Sequence, residues 1–284
     1  MLWTILGLAT IVLVMLYRLR WLDLDKLKQA PSRAVGLILA DLFLGLSLML
    51  IGLFASQELI KHFLEIDPET GQLTDASSLQ KTIPVLINQV LGQLPAVLYL
   101  LFRAHSTPGG LRLIGVVPRR AGLESLVGLL ALLATLPLVM AIAMLTLRLT
   151  ELIGHPAPKI AHELLRAMIE SDSTLATVLM LVSAVLFAAI LEEGIFRGLI
   201  QSVLVELLGE KHRLVVVYVA AIIFAIIHLG AAPWQVLPTL FTLGLILGWL
   251  YERTGSLWPP IIVHSGFNAF NASMAFLIEH PGAS

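Results

Sequence analysis

The stretch Leu191-Glu192-Glu193-Gly194-Ile195-Phe196-Arg197 lies inside apolar sequence that continues over residues 175–208. No turn signal separates these charges from either flank, so they are expected partway along one long membrane helix. A charge at such depth costs about 3 kcal/mol unless it is paired or faces water. On a helix Glu193 and Arg197 are four residues apart and share a face, which makes them natural partners. Glu192 points about 100° away from Glu193 and has no such local partner. That leaves Glu193 and Arg197 with a structural reading and Glu192 as the candidate proton acceptor.

The surroundings agree with a membrane setting. Of 284 residues, 58% are hydrophobic and only 13% are charged, too little to cover a soluble domain of this length. Helix-length apolar runs, rather than alternating ten-residue strands, point to an all-α polytopic transmembrane bundle and not an outer-membrane barrel. Eight spans are expected, over residues 2–17, 34–55, 83–102, 123–147, 175–208, 214–229, 236–251 and 257–278. The third carries an expected kink at Pro95. Pro68-Glu69-Thr70-Gly71 marks a turn in an acidic loop over residues 56–82. After Pro156 and Pro158, the apolar residues Ile160, Leu164, Leu165 and Met168 share one face, as in an interfacial helix or lid.

Residues 1–173 are read as N-terminal helices and loops and residues 174–284 as the chemistry-bearing core of one integral domain. All lysines and arginines except Lys61, Lys81, Arg148, Lys159 and Arg166 fall at Arg197 or in the connectors after spans one, three, five and seven. The positive-inside rule then puts those connectors in the cytoplasm and both termini outside, in the cell (cytoplasmic) membrane. A net charge of −1 without a basic run gives nothing for nucleic acid to bind, and the absence of cysteine excludes disulfides and thiolate metal sites.

Two further polar groups recur at helical spacing. Phe224-Ala-Ile-Ile-His228 ends span six, and His264-Ser-Gly-Phe-Asn268 lies in span eight, where His264 and Asn268 project together. The turn between spans five and six falls near residues 209–212, and Glu210 is equidistant from Glu192 and His228. In an antiparallel hairpin those two side chains should meet at one level, roughly 25 Å from the turn at 1.5 Å per residue. Taken singly, each residue has a plainer reading. An intramembrane His or Asn is often interhelical glue, and Phe224 is most simply packing. Asp41, Asn88, Gln89, Gln93 and Asn271 keep that plainer reading.

Taken together, Glu192-Glu193-x-x-x-Arg197, Phe224-x-x-x-His228 and His264-x-x-x-Asn268 resemble, in order, the motifs of the CAAX-processing and bacteriocin-processing (CPBP) intramembrane proteases, relatives of the type II CAAX prenyl endopeptidase. The run Tyr251-Glu252-Arg253-Thr254-Gly255-Ser256-Leu257-Trp258-Pro259-Pro260 resembles the lead into the family's last motif. The resemblance covers roughly residues 175–276. It implies hydrolysis of a peptide bond in a membrane protein or lipidated peptide substrate at the bilayer. In this reading Glu192 and His228 activate a water, His264 and Asn268 meet the oxyanion, and Glu193, Arg197 and Phe224 support them. The family has also been described as metalloproteases, with Glu192, His228 and His264 then ligating zinc. The cofactor-free form is the expectation, since there is no His-Glu-x-x-His helix and Asn is a poor zinc ligand. Two other readings share these residues: a non-catalytic scaffold or immunity-type protein of the same fold, and a proton-coupled transporter.

Overall fold

The computed structural model describes residues 2–23, 25, 27, 30, 36–63, 77–156 and 163–279. Among them the chain is helical apart from one isolated bridge between Leu229 and Ala232. The principal elements are α1 (Leu2–Arg18), α2 (Leu39–Phe63), α3 (Ser78–His105), α4 (Ala121–Leu152), α5 (Glu163–Ile169), α6 (Thr174–Leu208), α7 (Arg213–Ile227), α8 (Leu237–Thr254) and α9 (Trp258–Glu279). A helix occupies each of the eight expected positions, but five are long and apolar enough to cross a membrane by themselves: α2, α3, α4, α6, and α8 with the turn before it. Seventeen residues in α1 and 15 in α7 fall short of the roughly 20 that a bilayer core needs.

Side-chain contacts fix the direction of each helix. Gly52 and Ser56 on α2 meet Leu91 and Asn88 on α3, so these two run antiparallel. Gln89 and Val97 on α3 meet Ser183 and Gly194 on α6, which makes that pair parallel. Arg197 and Gln201 on α6 reach the Gly244 and Gly248 carbonyls on α8, again parallel. Gly128 and Leu132 on α4 meet Ile262 and Gly266 on α9 in the same sense. From α2 onward, direction alternates at every long helix, as in a chain that crosses each time.

Two long helices are not simple α-helices. In α3 a π segment, Asn88–Gln93, precedes Pro95. Proline lacks the N–H that would bond the Leu91 carbonyl. That carbonyl faces Gly52, where an added Cβ would lie 1.7 Å from it. The expected kink at Pro95 is thus an insertion in the helix, matched by a glycine on the neighbour. Helix α6 holds two π segments, Ser183–Phe187 and Gly194–Gln201, on either side of Glu192 and Glu193. Such insertions frequently mark functional sites.

Several boundaries differ from expectation. The second helix begins at Leu39, where the Asp41 carboxylate accepts the Ile38 N–H at 2.8 Å and binds Arg103 Nε at 2.6 Å. It continues through Phe63, and α3 starts at Ser78 behind a Ser77–Gln80 capping box. Much of the expected acidic loop is therefore helical, while the turn at residues 68–71 and the apolar Ile160 lie outside the described residues. The amphipathic segment is the short helix α5. Its Met168 is buried against Ala176, Met180 and Ala272, so it is docked on the ends of α6 and α9. The main core, with Phe196, Phe224, Leu243, Leu247, Val263 and Phe267, sits where α6, α7, α8 and α9 meet beside Glu193.

Candidate functional site

Helix α6 supplies the two carboxylates, and the residues it faces separate them. Glu193 and Arg197 are both wholly buried. Arg197 Nε lies 3.2 Å from Glu193 Oε2, and Arg197 Nη1 donates to Oε1 at 3.2 Å. Arg197 Nη2 donates to the Gly244 carbonyl at 3.1 Å, and its guanidinium stands 4.9 Å from the Phe224 ring centroid. A carboxylate, a main-chain oxygen and an aromatic face thus surround the buried guanidinium, whose Nε makes an ion-pair contact but no hydrogen bond to a described residue. Gly244 permits the close approach, because a Cβ there would meet Ala221 and Phe224 within 3.3 Å.

Glu192 turns the other way, with its side chain 15% exposed. The hairpin brings His228 to it. Helix α6 ends at Gly209, with φ +86° and ψ 151°, and a 3-10 turn at Glu210–His212 starts α7. His228 Nε2 then lies 3.8 Å from Glu192 Oε2. His264, on α9, brings its own Nε2 to 3.9 Å from the same oxygen. Glu192 Oε2 is buried and accepts no hydrogen bond from a described residue. Gaps of 3.8 and 3.9 Å are too long for direct hydrogen bonds.

The outer nitrogen of each ring is already committed. His228 follows the last turn of α7, where carbonyls lose their helical donors, and its Nδ1 bonds the Phe224 carbonyl at 2.7 Å. That bond gives the Phe-x-x-x-His spacing a physical reason. His264 Nδ1 lies 2.8 Å from Glu193 Oε1. Both acceptors lack hydrogens, so each ring donates from Nδ1 and turns Nε2 toward Glu192. Phe224 is more than packing: its ring centroid is 4.8 Å from that of His228 and 5.8 Å from that of His264.

The fourth residue of the expected set is placed differently. Asn268 lies one turn beyond His264 on α9, and its Nδ2 donates to the Ala184 carbonyl at 2.8 Å. An amide NH₂ carries two hydrogens, and this bond uses one. The structure therefore gathers Glu192, His228 and His264, and ties Asn268 instead to the Ala184 carbonyl in the π segment Ser183–Phe187.

Zinc fits these residues only in part. Carboxylate or carbonyl acceptors on the outer nitrogen of each imidazole are what a metal site requires. The Phe224 main-chain oxygen serves His228, and Glu193 serves Arg197 and His264 together. The spacing does not fit. Ligands about 2.05 Å from one tetrahedral ion are about 3.3 Å apart, less than either gap at Glu192. Among the described residues no three His, Cys, Asp or Glu side chains are close enough to hold an ion.

Polar residues around the site were only partly legible. Gly244 and Gly248 repeat at the same spacing of four as Arg197 and Gln201, which in retrospect announces the shared carbonyl contacts. Gln89 and Ser183 carried no such signal.

The description "Type II CAAX prenyl endopeptidase Rce1-like" belongs to a family whose sequence profile matches residues 174–270. No curated protein and no solved structure matches the chain. The match spans all three motifs, from the start of α6 to just past Asn268, and over these residues, about a third of the chain, the protein is similar to the type II CAAX prenyl endopeptidase Rce1-like family.

Proposed function

We propose that this protein is an endopeptidase of the cell membrane that hydrolyses a peptide bond in a membrane-bound or lipidated substrate, without a metal. The family match supports a CAAX protease-type enzyme. The observation that carries the mechanism is the convergence of two imidazole Nε2 atoms on Glu192 Oε2.

A water between Glu192 and His228 donates one hydrogen to the carboxylate and is oriented by the His228 ring, itself held by the Phe224 carbonyl. Glu192 removes that proton as the oxygen attacks the scissile carbonyl carbon. The resulting alkoxide is met by the second N–H of Asn268 and by His264 Nε2. His264 donates from Nε2 only when the ring carries both protons, the other being directed at Glu193. As the intermediate collapses, Glu192 returns its proton to the leaving amine, and the new carboxylic acid departs and ionises in water.

The test is cleavage of a fluorescence-quenched peptide ending in a prenylated CAAX sequence by purified protein in detergent or liposomes. The same peptide without its lipid separates lipidated from unmodified substrates. Absence of cleavage of both peptides by folded protein would reject the reading in favour of a non-catalytic membrane protein.

A further inference from the structure

A helical carbonyl has two lone pairs, of which the N–H further along the helix uses one, so it can also accept a side-chain donor, as those of Gly244 and Gly248 do. The π segment Ser183–Phe187 presents two such carbonyls in succession. There the Ala188 N–H reaches back to Ser183, and two successive carbonyls accept side-chain amides from different helices. Ser183 accepts Gln89 Nε2 at 3.3 Å, and Ala184 accepts Asn268 Nδ2 at 2.8 Å. Ser183 Oγ also donates to Gln89 Oε1 at 2.5 Å, which closes a two-bond ring between α3 and α6. Gln89 is itself in a π segment, and the adjoining Asn88 accepts a hydrogen bond from Ser56 on α2 at 2.5 Å.

We propose that Gln89 is a positioning residue for the reaction: through Ser183 it holds the π segment whose next carbonyl aims Asn268. Gln89 lies outside the residues matched by the family, in the half of the chain without motifs. The two N–H bonds of a planar amide lie at a fixed angle, so the bond to Ala184 determines where the other points. The Ser183 and Ala184 carbonyls belong to one π turn, so the bonds from Gln89 and Asn268 restrain the same turn. The inference rests on the oxyanion role proposed for Asn268.

Its test is a double-mutant cycle on the full-length protein, reading kcat and KM for the quenched prenylated CAAX peptide, with thermal unfolding alongside. Gln89→Leu keeps the bulk and removes both bonds. It is expected to lower kcat about tenfold or more while KM stays within about twofold, since small misplacements distant from the chemistry have effects of this size. Asn268→Ala should lower kcat further, and adding Gln89→Leu to it should change nothing more. If Gln89→Leu does not fold, Ser183→Ala, which removes one bond of the ring, enters the same cycle with the same expected non-additivity. Losses that multiply in the double mutant, or a lower melting temperature with wild-type kcat, overturn the inference alone. Wild-type kcat in Asn268→Ala removes the oxyanion role, and the inference with it.

Discussion

Glu193 has both oxygens within 3.2 Å of Arg197 and also meets His264, whereas Glu192, one residue earlier, accepts no hydrogen bond from a described residue at Oε2. The helical turn of about 100° between them separates support from chemistry. Glu192→Gln preserves shape and removes the proton acceptor, so cleavage should fall about 10²–10⁴-fold with an unchanged melting curve. Wild-type turnover in that variant would end the general-base assignment. Arg197→Ala instead strands a wholly buried carboxylate. A stability loss of roughly 3–5 kcal/mol is expected by thermal unfolding. Arg197→Lys should not restore it, because an ammonium cannot serve Glu193 and the Gly244 carbonyl with a planar fork. A stable but inactive Arg197→Ala would move the guanidinium into the chemistry. The spacing at Glu192 bears on metal as well. Exhaustive chelation should leave peptidase activity intact, and loss of activity restored by zinc alone would make the protein a metalloprotease.

Among the elements, the α6–α7 hairpin does most to assemble the site, since its turn sets which residues stand level. Gly209 occupies a backbone region open essentially to glycine, at φ +86° and ψ 151°, and a Cβ there would meet nothing within 4 Å. Gly209→Ala should therefore act through backbone strain alone, costing about 1–3 kcal/mol. Thermal unfolding should register that loss while kcat per folded molecule is retained. A fall in kcat at unchanged melting temperature would mean that the turn shifts the level of His228 against Glu192. The π segments act at the same scale. In the first of those in α6, the Ser183 and Ala184 carbonyls accept Gln89 and Asn268.

Across the whole molecule, alternating helix direction places the connector after α3 and the connector after α7 on opposite sides of the bundle. The chain has no cysteine, so single introduced thiols label without background. Ser106 and Ala231 are both exposed in those connectors. With the basic connectors inside, Ala231→Cys should react with an impermeant maleimide in intact cells. Ser106→Cys should react only after permeabilisation. Labelling of both from one side would contradict a crossing at every long helix.

The features that sequence alone determined were local or nearly so. The Glu193–Arg197 pair comes from helical spacing, and the approach of Glu192 to His228 from their equal separation from one turn. Proline at residue 95 was legible as a break. Tertiary structure alone decided the rest. His264 reaches Glu193, Asn268 reaches Ala184 and Gln89 reaches Ser183 across 71, 84 and 94 residues. No periodicity encodes such separations. The π insertions in α6 left no compositional mark, yet each extra residue rotates the remainder of the helix by about 100°. Which face of α6 meets α3, α8 or α9 was therefore settled only when the bundle packed.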